Sequence, residues 1–194
     1  VQLAIHAMDM LRQQVRPESR IGTWIINGGT ASNVIPATGE LEVTVRHTER
    51  DYLNGLSEQI KKIFEGAALC TGTTVDVEFY GNPYDDMNQN HRGTHLIEEV
   101  MTDMGLDFEP GPADIGGSSD IGNVSYQCAA FHPKLRLAGP DKVCHAKEFA
   151  DAMLEPTIEQ TILDGANIIG GTLLRLVENP TVLEEIVAEF NATK

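Results

Sequence analysis

Long apolar runs and paired cysteines are both absent from this sequence. No stretch of apolar residues approaches the length of a membrane span, so we expect no membrane partner. The three cysteines, Cys70, Cys128 and Cys144, are odd in number and too far apart to form a CxxC pair. This spacing indicates neither a disulfide framework nor a structural zinc knuckle, and it favours a reducing, cytoplasmic setting.

Basic residues are also scarce. The chain has 14 lysines and arginines against 29 aspartates and glutamates, which gives a formal net charge of -15. Such a surface would repel a phosphate backbone, so we predict no nucleic-acid partner. Apolar residues make up 41% of the 194 residues, which is enough for a hydrophobic core in one medium domain or two small ones.

The first part of the chain alternates helix and strand. Residue spacing predicts a helix at about 1–14, strands at 21–26, 40–46 and 75–79, and a helix from Thr48 to Gly72. This order is a split βαβ (ferredoxin-like) layout without its first strand. Because that strand is missing and the chain opens inside a helical pattern, we expect the chain to be cut from a longer protein. The inward positions of the middle strand are Leu41, Val43 and Val45.

The remainder of the chain is mostly helical and follows a polar connector at 81–90. We expect a helix near 94–104, a short buried strand at 128–131, and helices from Lys147 onward that divide before Pro180. The predicted domains are therefore 1–82 and 83–194.

The loop at 116–120, with the sequence GGSSD, is a candidate binding loop. Its glycines allow backbone N–H groups to approach a ligand, and its two serines add donors, so it suits an anion or a developing oxyanion. The alternative is a turn in which Ser119 or Asp120 caps a short helix. Spacing alone favours the turn, since short Gly/Ser motifs are common.

Histidines supply the candidate metal ligands. His145 is followed one turn later by Glu148, a possible acceptor for its second ring nitrogen. A helix-start histidine without a ligand is the alternative, and sequence alone favours it. The neighbouring Cys144 is expected to point the other way, buried and inert. His91 and His95 have helical metal-binding spacing but are more typical of a solvated helix start.

Two residues around the middle strand are candidates to bind a carboxylate group. Arg46 ends its outward face, and Asn33 lies in the preceding loop. A guanidinium takes a carboxylate through two parallel hydrogen bonds, and an amide N–H adds a third. Arg46 taken alone is more typical of an ordinary surface residue, and the upstream glycines, Gly28 and Gly29, are more typical of a turn.

These segments occur together, in this order, in one known family. Residues 28–36 and the strand that ends at Arg46 resemble the lid domain of the zinc-dependent aminoacylase/carboxypeptidase metallopeptidases. Residues 117–125, 131–133 and 145–149 resemble the amidohydrolase branch typified by aminobenzoyl-glutamate hydrolase. The resemblance runs over nearly all of the chain.

The resemblance implies a hydrolase with two domains. Residues 1–82 would be an α+β lid that makes a homodimer, and residues 83–194 would be the C-terminal part of an α/β zinc-peptidase-like catalytic domain. The intact site would hold two Zn²⁺ ions, with Mn²⁺ or Co²⁺ as alternatives, and a metal-bridging water would attack the amide of an N-acyl amino acid or small dipeptide.

Site residues follow from the same motifs. His145 corresponds to the last metal ligand of the family, and Asn33 and Arg46 to lid residues that hold the substrate. The family's other ligands and its general base would precede this chain, so we assign no catalytic residue and predict that the 194 residues alone are inactive. The residues that correspond to the substrate-pocket loop are Gly117, Ser118 and Ser119.

A second class of function remains open. The chain would instead be a non-catalytic dimerisation module or a small-molecule binding module if it keeps the lid without a metal site. An open sheet edge argues against a stable stand-alone module.

Overall fold

The computed structural model describes residues 1–110, 117–137 and 144–193. The chain divides into two compact units, Val1–Asp86 and Met87–Lys194. It mixes α and β structure, with several helices and a small antiparallel sheet, as the sequence predicted. Among the described residues, no helix is both long enough and apolar enough to span a membrane.

The first unit contains two helices and a β-hairpin. Its helices are α1 (Gln2–Leu11) and α2 (Arg50–Thr71), and its strands are β1 (Arg20–Asn27) and β2 (Glu40–Arg46). The strands pair antiparallel, with Arg20 opposite Arg46 and a bulge between Ile25 and Asn27. The predicted positions of both strands and both helices are confirmed to within a few residues.

The hydrophobic core of this unit lies between the helices and one face of the hairpin. Its buried members are Met8 of α1, Ile21 of β1, and Leu56 and Ile60 of α2. Period-two alternation on β2 turns one side of that strand toward the helices. The inward positions predicted on β2 are confirmed, because Leu41, Val43 and Val45 all pack against this core.

The predicted third strand, 75–79, is wrong. Residues 73–80 follow the left-handed Gly72 (φ 64°) that ends α2, and they form no strand. A strand needs a neighbour's backbone N–H and C=O groups, and within the described residues β1 and β2 pair only with each other. Period-two spacing alone therefore overpredicted this element, and Phe79 is 71% exposed.

One polar contact of this segment involves the hairpin. The Tyr80 hydroxyl hydrogen-bonds Glu42 of β2, and this bond is the main cause of a raised pKa for Tyr80. The segment thus has a side-chain contact with β2 where the sequence predicted a backbone ladder.

The second unit is helical. Its elements are α3 (His91–Asp103), α4 (Ile121–Ser125), α5 (Lys147–Ala152), α6 (Thr157–Glu178) and α7 (Pro180–Thr193). The predicted division before Pro180 is confirmed, because proline suits the first turn of a helix but not its interior. The predicted strand at 128–131 is wrong: this run forms no ladder, and Phe131 packs against helices instead.

Two glycines allow the core of this unit to close. Ile97 and Met101 of α3 pack against Ile168 of α6. A Cβ atom at Gly171 of α6 would lie 2.9 Å from Val100 Cγ1 on α3, so the two helices approach closely. A Cβ atom at Gly93 would overlap the Phe131 ring, which packs against the same core.

Hydrogen bonds with α7 complete the start of α3. Asn90 accepts a hydrogen bond from the Gly93 N–H (2.9 Å) and donates one to the Ile186 carbonyl (2.9 Å). The Glu189 carboxylate accepts from the His91 and Arg92 N–H groups, both at 2.8 Å. Desolvation opposes ionisation of Glu189, but these backbone bonds outweigh it, so the pKa of Glu189 is lowered. A helix N-terminus favours such a negative charge.

Candidate functional site

The two candidate substrate residues of the first unit lie at opposite ends of the hairpin. Arg46 is the last residue of β2, and Asn33 lies in the loop at 28–39 that joins β1 to β2. Both are exposed. Six residue steps at about 3.3 Å each separate Arg46 from the loop end of β2 by roughly 20 Å.

The loop that carries Asn33 has a constrained turn. The Asn27 side chain accepts a hydrogen bond from the Gly29 N–H at 3.0 Å. Gly29 has a φ of 109°, and a Cβ atom there would lie 2.5 Å from Pro36 Cγ. Only glycine suits both conditions, so the twin-glycine motif is explained by the turn itself.

The loop at 117–119 is exposed to solvent at its N-terminal end, and its C-terminal end leads into α4. Gly117 and Ser118 are exposed, and Ser119 is half-buried. The Ser119 hydroxyl accepts from the Ile121 N–H (3.4 Å) and donates to Asp120 Oδ1 (3.3 Å). Gly116, the first glycine of the motif, lies outside the described residues.

A buried serine anchors the helix that follows this loop. Ser125 is fully buried, and its hydroxyl donates to the Gly122 carbonyl at 2.6 Å. It also accepts from the Asn88 N–H at 2.9 Å. These contacts fix α4, and with it the C-terminal end of the 117–119 loop. Asp120 is the N-cap of α4 but makes no side-chain capping bond.

Lys134 is a further cation at this loop that the sequence analysis missed. A Cβ atom at Gly117 would lie 3.9 Å from the Lys134 ammonium nitrogen. The signal in the sequence is the alternation after Pro133, in which Leu135 and Leu137 are half-buried while Lys134 and Arg136 are exposed. Such alternation places the cations together on the outward side.

His145 lies in a turn that leads into α5, and it is exposed. Its φ is 69°, which makes it the single non-glycine residue with positive φ in the part of the chain described. Glu148 is in the first turn of α5, as predicted. The expectation that Cys144 is buried is wrong: Cys144 is exposed, as are Cys70 and Cys128. Cys144 lies in an exposed turn rather than in the buried extended segment assumed for it.

The described residues do not form a complete metal site. Residues 1–110, 117–137 and 144–193 hold no group of three or more His, Cys, Asp or Glu side chains placed to bind an ion. His95 pairs with Glu99 at 2.9 Å along α3. His145 is a single exposed imidazole, and the two-metal site implied by the resemblance needs further ligands.

Comparison with known proteins identifies relatives over the whole chain. Xaa-Arg dipeptidase of Mus musculus is 30% identical over 191 residues, which cover 97% of this chain and 44% of the mouse protein. N-acetyldiaminopimelate deacetylase of Leuconostoc citreum is 32% identical over 90 residues, covering 46% of this chain and 23% of that protein. One of the p-aminobenzoyl-glutamate hydrolase polypeptides of Escherichia coli is 32% identical over 80 residues, covering 41% of this chain and 17% of its own length.

The matches cover different shares of the chain, but the names of the matched proteins describe similar enzymes. No family model matches the chain. The chain spans less than half the length of the curated relatives that it matches. All of these relatives carry the names of peptidases or amidohydrolases, and one is the hydrolase whose branch the motifs predicted. The chain is therefore similar to peptidases and amidohydrolases, the enzymes that its motifs resemble.

Proposed function

We propose that the protein is a metal-dependent amidohydrolase that cleaves the amide bond of N-acyl amino acids or small dipeptides, with His145 as a metal ligand. The relatives' names support the substrate class, since they describe a dipeptidase, an N-acetyl deacetylase and an aminobenzoyl-glutamate hydrolase. We extend to this chain the chemistry that these names share, which is hydrolysis of an amide bond at an amino acid.

The conformation of His145 is the observation that carries this proposal. A left-handed backbone costs an L-residue about 1–2 kcal/mol, and such outliers cluster at functional sites. His145 has this conformation in an exposed turn, at the position where the motif predicts a ligand. We infer that a ligand bound by the imidazole offsets the cost of this conformation.

The metal supplies the Lewis acidity and the activated water of the reaction when it is bound. His145 would hold it through a neutral ring nitrogen. We expect the remaining ligands and the general base from residues outside the described ranges. On this proposal, the described residues alone do not catalyse the reaction.

Two other sets of residues would bind and orient the substrate. Arg46 suits a free carboxylate because a guanidinium donates two parallel hydrogen bonds, and Asn33 offers an amide N–H. The exposed Gly117 and Ser118 leave backbone and hydroxyl donors open to a ligand.

A homodimer through the first unit is part of this proposal. Trp24 is 64% exposed and lies on the side of the hairpin that faces away from the core, and Ile26 at the bulge is 45% exposed. Ile35 in the loop beside Asn33 is 94% exposed. Exposed apolar side chains grouped in this way are typical of interfaces. We propose that a second copy of the chain covers these exposed apolar side chains. We propose Zn²⁺ as the metal in each copy.

Hydrolysis assays test the proposal with a matched pair of histidine variants. The protein, expressed from its complete reading frame, should release amino acids from N-acetyl amino acids, and a chelator should abolish the release until metal is restored. His145→Ala should lower kcat/KM by at least about a hundredfold. His6→Ala, at another exposed histidine on α1, should leave it unchanged. Hydrolysis that survives both the chelator and His145→Ala would exclude a metal role for His145.

A further inference from the structure

The Asn27 side chain bonds to both arms of the loop that carries Asn33. Its oxygen accepts a hydrogen bond from the Gly29 N–H at 3.0 Å, near the start of the loop. Its amide nitrogen donates to the Thr38 carbonyl at 3.4 Å, near the end of the loop. One side chain therefore joins the two arms across the base of the loop, where the strands end.

The β-hairpin fixes the backbone that carries Asn27. Asn27 is the last residue of β1 and pairs with Glu40, the first residue of β2. The bulge between Ile25 and Asn27 lies beside this pair, and a bulge changes the direction in which neighbouring side chains point. The two hydrogen bonds of Asn27 therefore connect the strand ladder to both arms of the loop.

Further contacts restrict the loop beyond its base. A Cβ atom at Gly29 would lie 2.5 Å from Pro36 Cγ, so the two arms approach closely. The Val34 N–H donates to the Ala31 carbonyl at 3.3 Å, which makes a turn around Asn33. All of these residues belong to the first unit, and together their contacts define the position of Asn33 relative to the hairpin.

We propose that Asn27 is a positioning residue, which holds this loop in one arrangement and so places the Asn33 side chain for substrate. The inference rests on the proposed function, in which Asn33 contacts the substrate and Asn27 does not. A loop that is ordered before binding gives a higher affinity, because binding then does not have to order it. Loss of the Asn27 bonds should therefore weaken substrate binding and leave the chemical step unchanged.

Hydrolysis of N-acetyl amino acids by the protein from its complete reading frame tests this role. Asn27→Ala should raise KM by about two- to tenfold, the range of one hydrogen bond, at constant kcat. Asn27→Asp keeps an acceptor for the Gly29 N–H but offers the Thr38 carbonyl no donor, so it should raise KM to a similar extent. Asn54→Ala, at an exposed position of α2, should change neither constant.

A double-mutant cycle distinguishes positioning of Asn33 from a general structural role. Asn33→Ala should raise KM by itself, and Asn27→Ala should add no further rise when Asn33 is already alanine. If the two effects on KM multiply, Asn27 does not act through Asn33, and the inference fails. It also fails if Asn27→Asp keeps the wild-type KM, because the bond to Thr38 is then not needed.

Failure of the proposed function has a different result. If Asn33→Ala leaves KM unchanged, Asn33 does not hold the substrate, and the inference fails together with that part of the proposal. If the wild-type protein cleaves no N-acyl amino acid or dipeptide, the proposed function itself is wrong. If the protein is active and Asn33→Ala raises KM while Asn27→Ala does not, the proposed function stands and the positioning role of Asn27 alone is excluded.

Discussion

His145 is a candidate metal ligand whose backbone has an unfavourable left-handed conformation. Its φ of 69° is free of steric cost for glycine but costs other residues about 1–2 kcal/mol. We therefore expect His145→Gly to be more stable than His145→Ala by about 1 kcal/mol, although both variants lose hydrolysis. Urea unfolding of the two variants measures the difference, and equal stabilities would show that position 145 is not left-handed.

At the scale of single residues, motifs predicted positions but not surroundings. The sequence placed His145 before a helix and Arg46 at a strand end, and the structure agrees. It did not predict the exposure of Cys144 or the approach of Lys134 to Gly117. Both depend on how segments that are distant in the sequence pack together. The local spacing of residues does not show which distant segments are in contact.

At the scale of elements, the spacing of apolar residues predicted an element correctly in two situations. Either the element makes its backbone hydrogen bonds internally, or its pairing partner is the next element along the chain. The helices bond internally, and β1 and β2 form a hairpin, so their bounds were predicted closely. Residues 75–79 and 128–131 have the composition of strands but no ladder. A strand depends on a partner that its own pattern does not specify.

The contact between α3 and Phe131 gives a prediction at this scale. Gly93→Ala adds a Cβ atom that overlaps the Phe131 ring, so we expect the free energy of unfolding to fall by about 1–3 kcal/mol. Gly66→Ala is the matched control in α2, where a Cβ atom meets nothing within 4 Å. It should raise the stability by about 0.5–1 kcal/mol. Denaturation followed by far-ultraviolet circular dichroism compares the two, and equal effects would contradict the packing described.

The contact between α7 and α3 predicts a pH dependence. Glu189→Gln removes a negative charge from two N–H groups at the start of α3, which should cost about 1 kcal/mol near neutral pH. Because the pKa of Glu189 is lowered in the folded state, its contribution is present above the ordinary glutamate pKa of about 4.3. It is lost as the pH falls through the lower folded value.

The control for this pH dependence is another glutamate of the same helix. Glu184 is exposed on α7, so Glu184→Gln should leave the stability nearly unchanged throughout. Urea midpoints of the three proteins across the acid range give the comparison. A destabilisation by Glu189→Gln that persists undiminished at the acid end would rule out the charge of Glu189 as its cause.

At the scale of the whole molecule, the chain matches the Xaa-Arg dipeptidases of mouse and human over 97% of its own length but over 44% of theirs. Asn33 and Arg46 lie in the first of its two compact units, and His145 lies in the second. The long helical segments and the similarity to peptidases and amidohydrolases were predictable from the sequence. The complete arrangement of ligands was not, because a metal site is defined by side chains from separate segments.

Metal content is the measurement that tests the central claim most directly. The protein from its complete reading frame should bind about two metal ions per chain, measured by mass spectrometry of the metals after dialysis. His145→Ala should lose bound metal, while His6→Ala should retain it. A wild-type protein without bound metal, or a His145→Ala variant with its full complement, would contradict the assignment of His145 as a ligand of a metal-dependent amidohydrolase.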